Sequence, residues 1–230
     1  MSDLRLERKI VWLAALIQLA NVLDFMIIMP LGPELTIALN IPSSEMGLLG
    51  GIYTFAAAVS GLLFAPYLDR FDRKSVAIIS LIGLVISTFL CTLAYDTNSM
   101  LLARTLAGIF GGPVTSISLA MVVDMVPIAR RGRAIAIVTS AFTVSSIFGI
   151  PLALELARMF SWHMPFLIVG GFGLFVAIAM FVFLPPMKGH IDQSEASHLW
   201  EEILNARQAQ RAYSHQAVFR CGFDSLDCPD

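Results

Sequence analysis

Charge is what this chain has least of. Lys, Arg, Asp and Glu make up 14% of its 230 residues, and no Lys or Arg occurs from Ile10 to Asp69. A soluble domain carries about a quarter charged residues. With 57% hydrophobic residues and a mean hydropathy of +0.77, a water-covered globule is excluded. Cysteine is scarce too. Cys91 lies in an apolar run, and Cys221 and Cys228 lie near the end, so neither a metal-ligand spacing nor a disulfide framework is present in the sequence. Paired catalytic acids are missing, as are a Ser and a His at one depth, so no enzyme chemistry and no cofactor is expected. The net charge of −2, with its cations confined to small clusters, excludes a nucleic-acid footprint.

The cations that are present carry the organisation. Ten of the twelve Lys and Arg residues up to Lys188 fall in four clusters: Arg5, Arg8 and Lys9; Arg70, Arg73 and Lys74; Arg130, Arg131 and Arg133; and Lys188. Two apolar stretches fit between successive clusters, each near the roughly 20 residues that cross about 30 Å of hydrocarbon. The expectation is an all-α membrane protein with six transmembrane helices, near 10–32, 47–68, 75–94, 99–126, 134–157 and 164–186. The first segment is too long for a signal h-region and lacks a cleavage pattern, so it reads as a retained helix kinked at Pro30. Basic loops favour the cytoplasmic side, which puts both termini inside a cell (inner) membrane and the turns near Pro42, Asp96 and Ser161 outside. Two groups of three helices that start on opposite sides have the topology of two inverted three-helix repeats. The six-helix bundle is assigned to 1–187.

Ions inside hydrocarbon are retained when they are paired or face a polar cavity, because a bare charge there costs at least about 2.5 kcal/mol. Three stand out: Asp24, Arg104 and Glu155. Asp24 lies about 9 Å below the expected kink, and Arg104 about 7 Å below the outer start of its helix. Matching depths predict an ion pair or a shared polar cavity in the outer half of the bundle. Gln18, Asn21 and Asp24 follow an i, i+3, i+6 spacing over about 120° of one face, a stripe able to line that cavity. A purely structural salt bridge is the competing reading. Glu155 precedes Arg158 by three residues, which fits a snorkelling surface pair as well as a substrate or proton role. At the cytoplasmic end, Asp69, Arg70, Arg73 and Lys74 form one charged turn, and Asp124 precedes Arg130 and Arg131. Opposite charges at helix ends can latch one conformation, whereas topology alone has little use for the acids.

Four stretches carry a resemblance. The turn Ala65-Pro66-Tyr67-Leu68-Asp69-Arg70-Phe71-Asp72-Arg73-Lys74 is similar to Gly-x-Leu-Ala-Asp-Arg-x-Gly-Arg-Lys, with Ala65 and Asp72 in place of the glycines. Arg104-x-x-x-Gly108 is similar to an arginine motif tied to proton coupling, with Ala107 where Gln is common. Gly149-Ile150-Pro151 is a partial form of an antiporter Gly-Pro motif, and Leu23-Asp24-Phe25 with Met29-Pro30 looks like an acidic motif near the substrate cavity. Over residues 8–187 the chain resembles the amino-terminal half of a twelve-helix major facilitator superfamily transporter of the bacterial drug and sugar efflux type.

That resemblance implies proton-coupled export of a small molecule. Asp24 and Arg104 would handle the proton, Gln18 and Asn21 would contact substrate, and the lipid bilayer, protons and a second six-helix half or a homodimer partner would complete the system. The alternative is an inactive or scaffold membrane fragment. Beyond the bundle, Asp192 and Glu195 can cap a segment carrying Leu199, Trp200, Ile203 and Leu204, so 188–213 reads as a cytoplasmic amphipathic helix. Residues 214–230 form an irregular tail where a seventh span would start, and the expectation is a shifted reading frame.

Overall fold

A computed structural model describes residues 2–39, 41–68 and 72–184; the expectations for Asp69, Arg70 and the segments 188–213 and 214–230 lie outside the described residues. Among the described residues, eight α-helices, a 3-10 turn and a π turn build the bundle. They are α1 (Ser2–Met26), α2 (Gly32–Leu39), the 3-10 turn Ser43–Glu45, α3 (Met46–Leu68), α4 (Arg73–Thr92), α5 (Thr97–Met125), α6 (Ile128–Val144), the π turn Ser145–Gly149, α7 (Ile150–Met159) and α8 (His163–Phe183). Among the described residues, six stretches are long and apolar enough to cross a membrane: α1, α3, α4, α5, the composite α6–α7 and α8.

The packing order carries the repeat. The second span packs on the fourth as the fifth packs on the first, and the third packs on the fourth as the sixth packs on the first. Exchanging the first three spans for the last three maps this contact pattern onto itself. That is the pattern of an inverted repeat.

Three boundaries differ from the sequence reading. The first helix ends at Met26 instead of running to 32. Pro30 has no N–H to give the Met26 carbonyl, so the chain turns over Ile27–Leu31, with Gly32 N–H on Met29 O at 3.3 Å, and restarts as α2 with Pro33 in its first turn. The fifth span starts at Ile128, which puts Arg130 and Arg131 on the first turn of α6 and not in a loop. Cations there oppose the helix dipole. Arg130 is compensated by Glu7 of α1 at 3.0 Å, and Arg131 Nε donates to Val126 O at 2.8 Å. Asp72, standing where the motif has glycine, serves as N-cap of α4: its carboxylate accepts from the Lys74 N–H.

The π turn answers to Pro151. A regular helix would drive the proline ring into the Ile147 carbonyl. Widening the turn, with Ile150 N–H reaching back to Ser145 O, accommodates it. At the opposite end of α4, Asp96 and Ser99 close a reciprocal capping box that starts α5.

Candidate functional site: a sealed ion pair beside a polar pocket

Asp24 and Arg104 meet. Arg104 Nη1 lies 3.3 Å from Asp24 Oδ2 and donates to the Asp24 main-chain carbonyl at 2.9 Å, and both residues are 0% exposed. Thr88 Oγ1 of α4 donates to the other carboxylate oxygen at 2.7 Å. Three spans therefore converge on one carboxylate. The guanidinium is covered by Phe166 of α8, its Cζ 5.0 Å from the ring centroid. Its Nε and Nη2 find no hydrogen-bond partner among the described residues. An ion this deep is stabilised by its countercharge, one carbonyl and an aromatic face.

Asp24 does not line the neighbouring pocket. That pocket, about 190 Å³ and open on one side, lies between α1, α3 and α5 and is lined by Gln18, Asn21, Tyr53, Thr54 and Thr115 with Phe25. Asn21 Nδ2 donates to Thr115 Oγ1 at 2.8 Å and Asn21 Oδ1 accepts from the Tyr53 hydroxyl at 3.0 Å, while Gln18 Oε1 accepts from Ser118 at 3.0 Å. The expected stripe is thus divided. The 120° spread that would let three residues share a face turns Asp24 away from α3 and onto Thr88 and Arg104. One turn of α1 separates the pocket from the charge pair.

Two of the motif glycines sit where helices approach closely. A Cβ on Gly108 would strike the Tyr53 carbonyl and the Ala56 methyl, so its absence lets α5 lie against α3 and sets Tyr53 opposite Asn21. A Cβ on Gly149 would strike Leu23, one residue before Asp24. Pro151 itself is exposed and acts through the π turn beside it.

At the end of the bundle bearing the charged turn, helix ends are tied in pairs. Arg73 Nε is 3.0 Å from Asp124 Oδ2, joining α4 to α5. Lys74 Nζ donates to the Phe181 carbonyl at 3.1 Å and to the Leu184 carbonyl, and lies over the Phe181 ring, joining α4 to α8. Arg130 and Glu7 join α6 to α1. Glu155 and Arg158 are both exposed, and no ion pair joins them among the described residues. Each reaches outward from α7, where i, i+3 proximity alone brings little gain.

The sequence reading missed Thr88, Tyr53, Thr115, Ser118 and Phe166. Only Tyr53-Thr54, a polar-tipped pair inside a run of small residues, carried a signal that could have been used.

Six spans in an inverted repeat, with a buried acid and base beside a polar pocket, define a multi-pass membrane helix bundle with the repeat of a transporter fold. Residues 14–221 match the Major Facilitator Superfamily, and the chain belongs to that family. It is 26% identical over 178 residues to the uncharacterized MFS-type transporter YceJ of Bacillus subtilis strain 168, covering 77% of this chain and 45% of that protein. It is also 26% identical over 146 residues to a probable sugar efflux transporter of Helicobacter acinonychis strain Sheeba, covering 63% of this chain and 37% of that one. Its fold resembles a bacterial homolog of the human lysosomal transporter Spinster in its inward-facing, unoccupied conformation, with a TM-score of 0.68 at 24% identity over 80% of this chain and 44% of that chain. The chain spans less than half the length of these relatives.

Proposed function

We propose that this chain supplies the proton-handling half of a secondary transporter that exports a small molecule across the cell inner membrane, with both termini in the cytoplasm. Asp24 takes up and releases the proton, Arg104 is its countercharge, and Gln18 and Asn21 meet the substrate in the adjoining pocket. The observation that carries this reading is the pairing of Asp24 with Arg104 in full enclosure, one helical turn from a pocket rimmed by amide and hydroxyl groups. Protonating Asp24 removes the charge that holds Arg104. The two helices α1 and α5 then lose their electrostatic tie, which couples the proton to helix movement.

In this scheme the pairs Arg73–Asp124 and Arg130–Glu7, with Lys74 on the α8 carbonyls, hold one conformation closed at the cytoplasmic end, and Asp69 and Arg70 belong to the same latch. Glu155, exposed on α7, faces the second six-helix half or a second copy of this chain. Alternating access needs such a partner, because one half rocks against the other around a site between them.

A scaffold reading is favoured by one observation: Thr88 already bonds the Asp24 carboxylate, and the Asp24 main-chain carbonyl bonds Arg104 Nη1, from within the bundle. Proteoliposomes carrying the chain with pyranine inside separate the two. A panel of monosaccharides under an imposed pH gradient is expected to elicit proton flux that Asp24→Asn abolishes. Flux that survives Asp24→Asn overturns the proton role, and absence of flux from the folded wild-type chain, alone and with a second half supplied, favours the scaffold.

A further inference from the structure

Two acceptors compete for the Thr88 hydroxyl. Its Oγ1 lies 2.7 Å from Asp24 Oδ1 and 2.8 Å from the Leu84 carbonyl, one turn back on α4. A hydroxyl carries one hydrogen and two lone pairs, so it donates to one of them at a time. Ser87 and Thr92 also bond carbonyls of their own helix, Gly83 O at 2.8 Å and Phe89 O at 2.7 Å. Among the described residues of α4, Thr88 alone adds a carboxylate from another helix.

The two oxygens of Asp24 are not equivalent. Oδ2 faces Arg104 Nη1 at 3.3 Å, a group that donates and never accepts. A proton on Oδ2 would set one donor against another. Oδ1 faces the Thr88 oxygen, which has lone pairs to offer. Arg104 on α5, Tyr53 on α3 and Cys91 on α4 are titratable groups that interact electrostatically with Asp24, and of these only Arg104 bonds its carboxylate among the described residues.

We propose that Thr88 is the positioning residue for the proton carried by Asp24, its hydroxyl reversing roles as the carboxyl changes charge; this rests on the proton-handling reading above. With Asp24 ionised, the Thr88 O–H donates to Oδ1, and the Leu84 carbonyl keeps the Thr88 N–H of the helix ladder. When Asp24 takes up a proton, the new O–H bond forms on Oδ1 and donates to Thr88 Oγ1. The Thr88 hydrogen then swings about its Cβ–Oγ1 bond to the Leu84 carbonyl. One proton enters and none leaves, so the Asp24–Arg104 pair passes from neutral to singly positive. Both oxygen–oxygen distances already suit a hydrogen bond, so no heavy atom has to move. Oδ1 keeps a partner in both charge states, which matters because Asp24 is 0% and Thr88 1% exposed.

The Leu84 carbonyl reports the swing. Leu-Val occurs once in the chain, at Leu84-Val85, so carbonyl-labelled leucine with nitrogen-labelled valine gives one coupled carbonyl signal in solid-state NMR of the full chain in lipid bilayers. That signal is expected to move downfield from alkaline to acid buffer, as the carbonyl gains its second hydrogen bond. Leu84 is 2% exposed, so solvent does not reach it directly. Thr88→Val, close in shape but lacking the hydroxyl, is expected to hold the signal still, and Thr88→Ser to restore the movement, with circular dichroism reporting the fold of each. Asp24 itself is read by the carboxyl C=O stretch that appears on acidification in infrared difference spectra and is lost in Asp24→Asn. A carboxyl band with an immobile Leu84 signal in the wild-type chain overturns the role of Thr88 and leaves the proton on Asp24. Movement that survives Thr88→Val does the same. Absence of the band overturns the proton-handling reading and this inference with it.

Discussion

Phe166 covers the guanidinium of Arg104, with its ring centroid 5.0 Å from Cζ, and closes the buried charge pair off from the α7–α8 turn. Trp162 in that turn stacks on His163 and meets Phe166 edge-on, its centroid 6.3 Å away. The ring shields a guanidinium whose Nε and Nη2 have no hydrogen-bond partner among the described residues, so its loss opens the pair to water. Phe166→Ala is expected to destabilise the chain by about 3–5 kcal/mol. It should also speed hydrogen exchange at the buried end of α5, whereas Phe166→Leu keeps most of the cover and loses less. Equal exchange in both variants would contradict the role of the ring.

The Asp24–Arg104 pair predicts strong non-additivity. Removing one partner from a buried pair leaves an uncompensated ion, at about 3–5 kcal/mol. Arg104→Gln should therefore cost more than the double variant with Asp24→Asn, measured by unfolding in detergent micelles. Additive losses would mean that the two charges do not sense each other.

Close approach of α5 to α3 at Gly108 predicts a steric penalty. Gly108→Val forces the helices apart at the Tyr53 carbonyl and is expected to lower stability by at least about 2 kcal/mol. Tyr53 then loses its reach to Asn21. Tyr53→Phe in the same assay should lose only about 1 kcal/mol, the value of one hydrogen bond.

The latch at the charged end predicts a modest coupling. Arg73 and Asp124 are partly accessible, with side-chain exposures of 9% and 29%, so solvent screens them. A double-mutant cycle with Arg73→Gln and Asp124→Asn should give about 1 kcal/mol, falling as salt rises. A coupling insensitive to salt would point to packing instead of charge.

The capping box at Asp96 predicts a pH effect at the start of α5. The Ser99 side chain, then the Ser99 backbone N–H, holds the Asp96 carboxyl below its ordinary range. A depressed folded value means the cap contributes fully above the unfolded value of about 3.9 and is lost as pH falls through the folded one. Amide exchange at Ser99, corrected for its intrinsic rate, should accelerate below about pH 4, and Asp96→Ala should make it fast at every pH. No change on acidification would remove the cap from the account.

Much of the site was legible because charge inside an apolar run is expensive and therefore rare. Asp24 and Arg104 could be matched by depth alone, and the structure brings them within 3.3 Å. Their company was not legible. Thr88 is one of several hydroxyls on α4, each able to bond its own helix, and nothing in the sequence picks the one that faces Asp24. Phe166 is one of 16 phenylalanines. The end of α1 at Met26 was misplaced because a proline inside an apolar run can either kink a helix or stop it, and here the turn into α2 stopped it. Glu155 and Arg158 had helical spacing and no packing to hold them together.

By itself the sequence determined the number of spans, since apolar length against hydrocarbon thickness leaves little choice, and it determined the family through the motifs at the charged turn and in α5. Tertiary structure decided which residues meet. A helix apolar on every side has no preferred face, so its rotation is set by its neighbours, and bonds between positions 64 and 80 residues apart, such as Thr88 and Arg104 to Asp24, exist only once that rotation is settled.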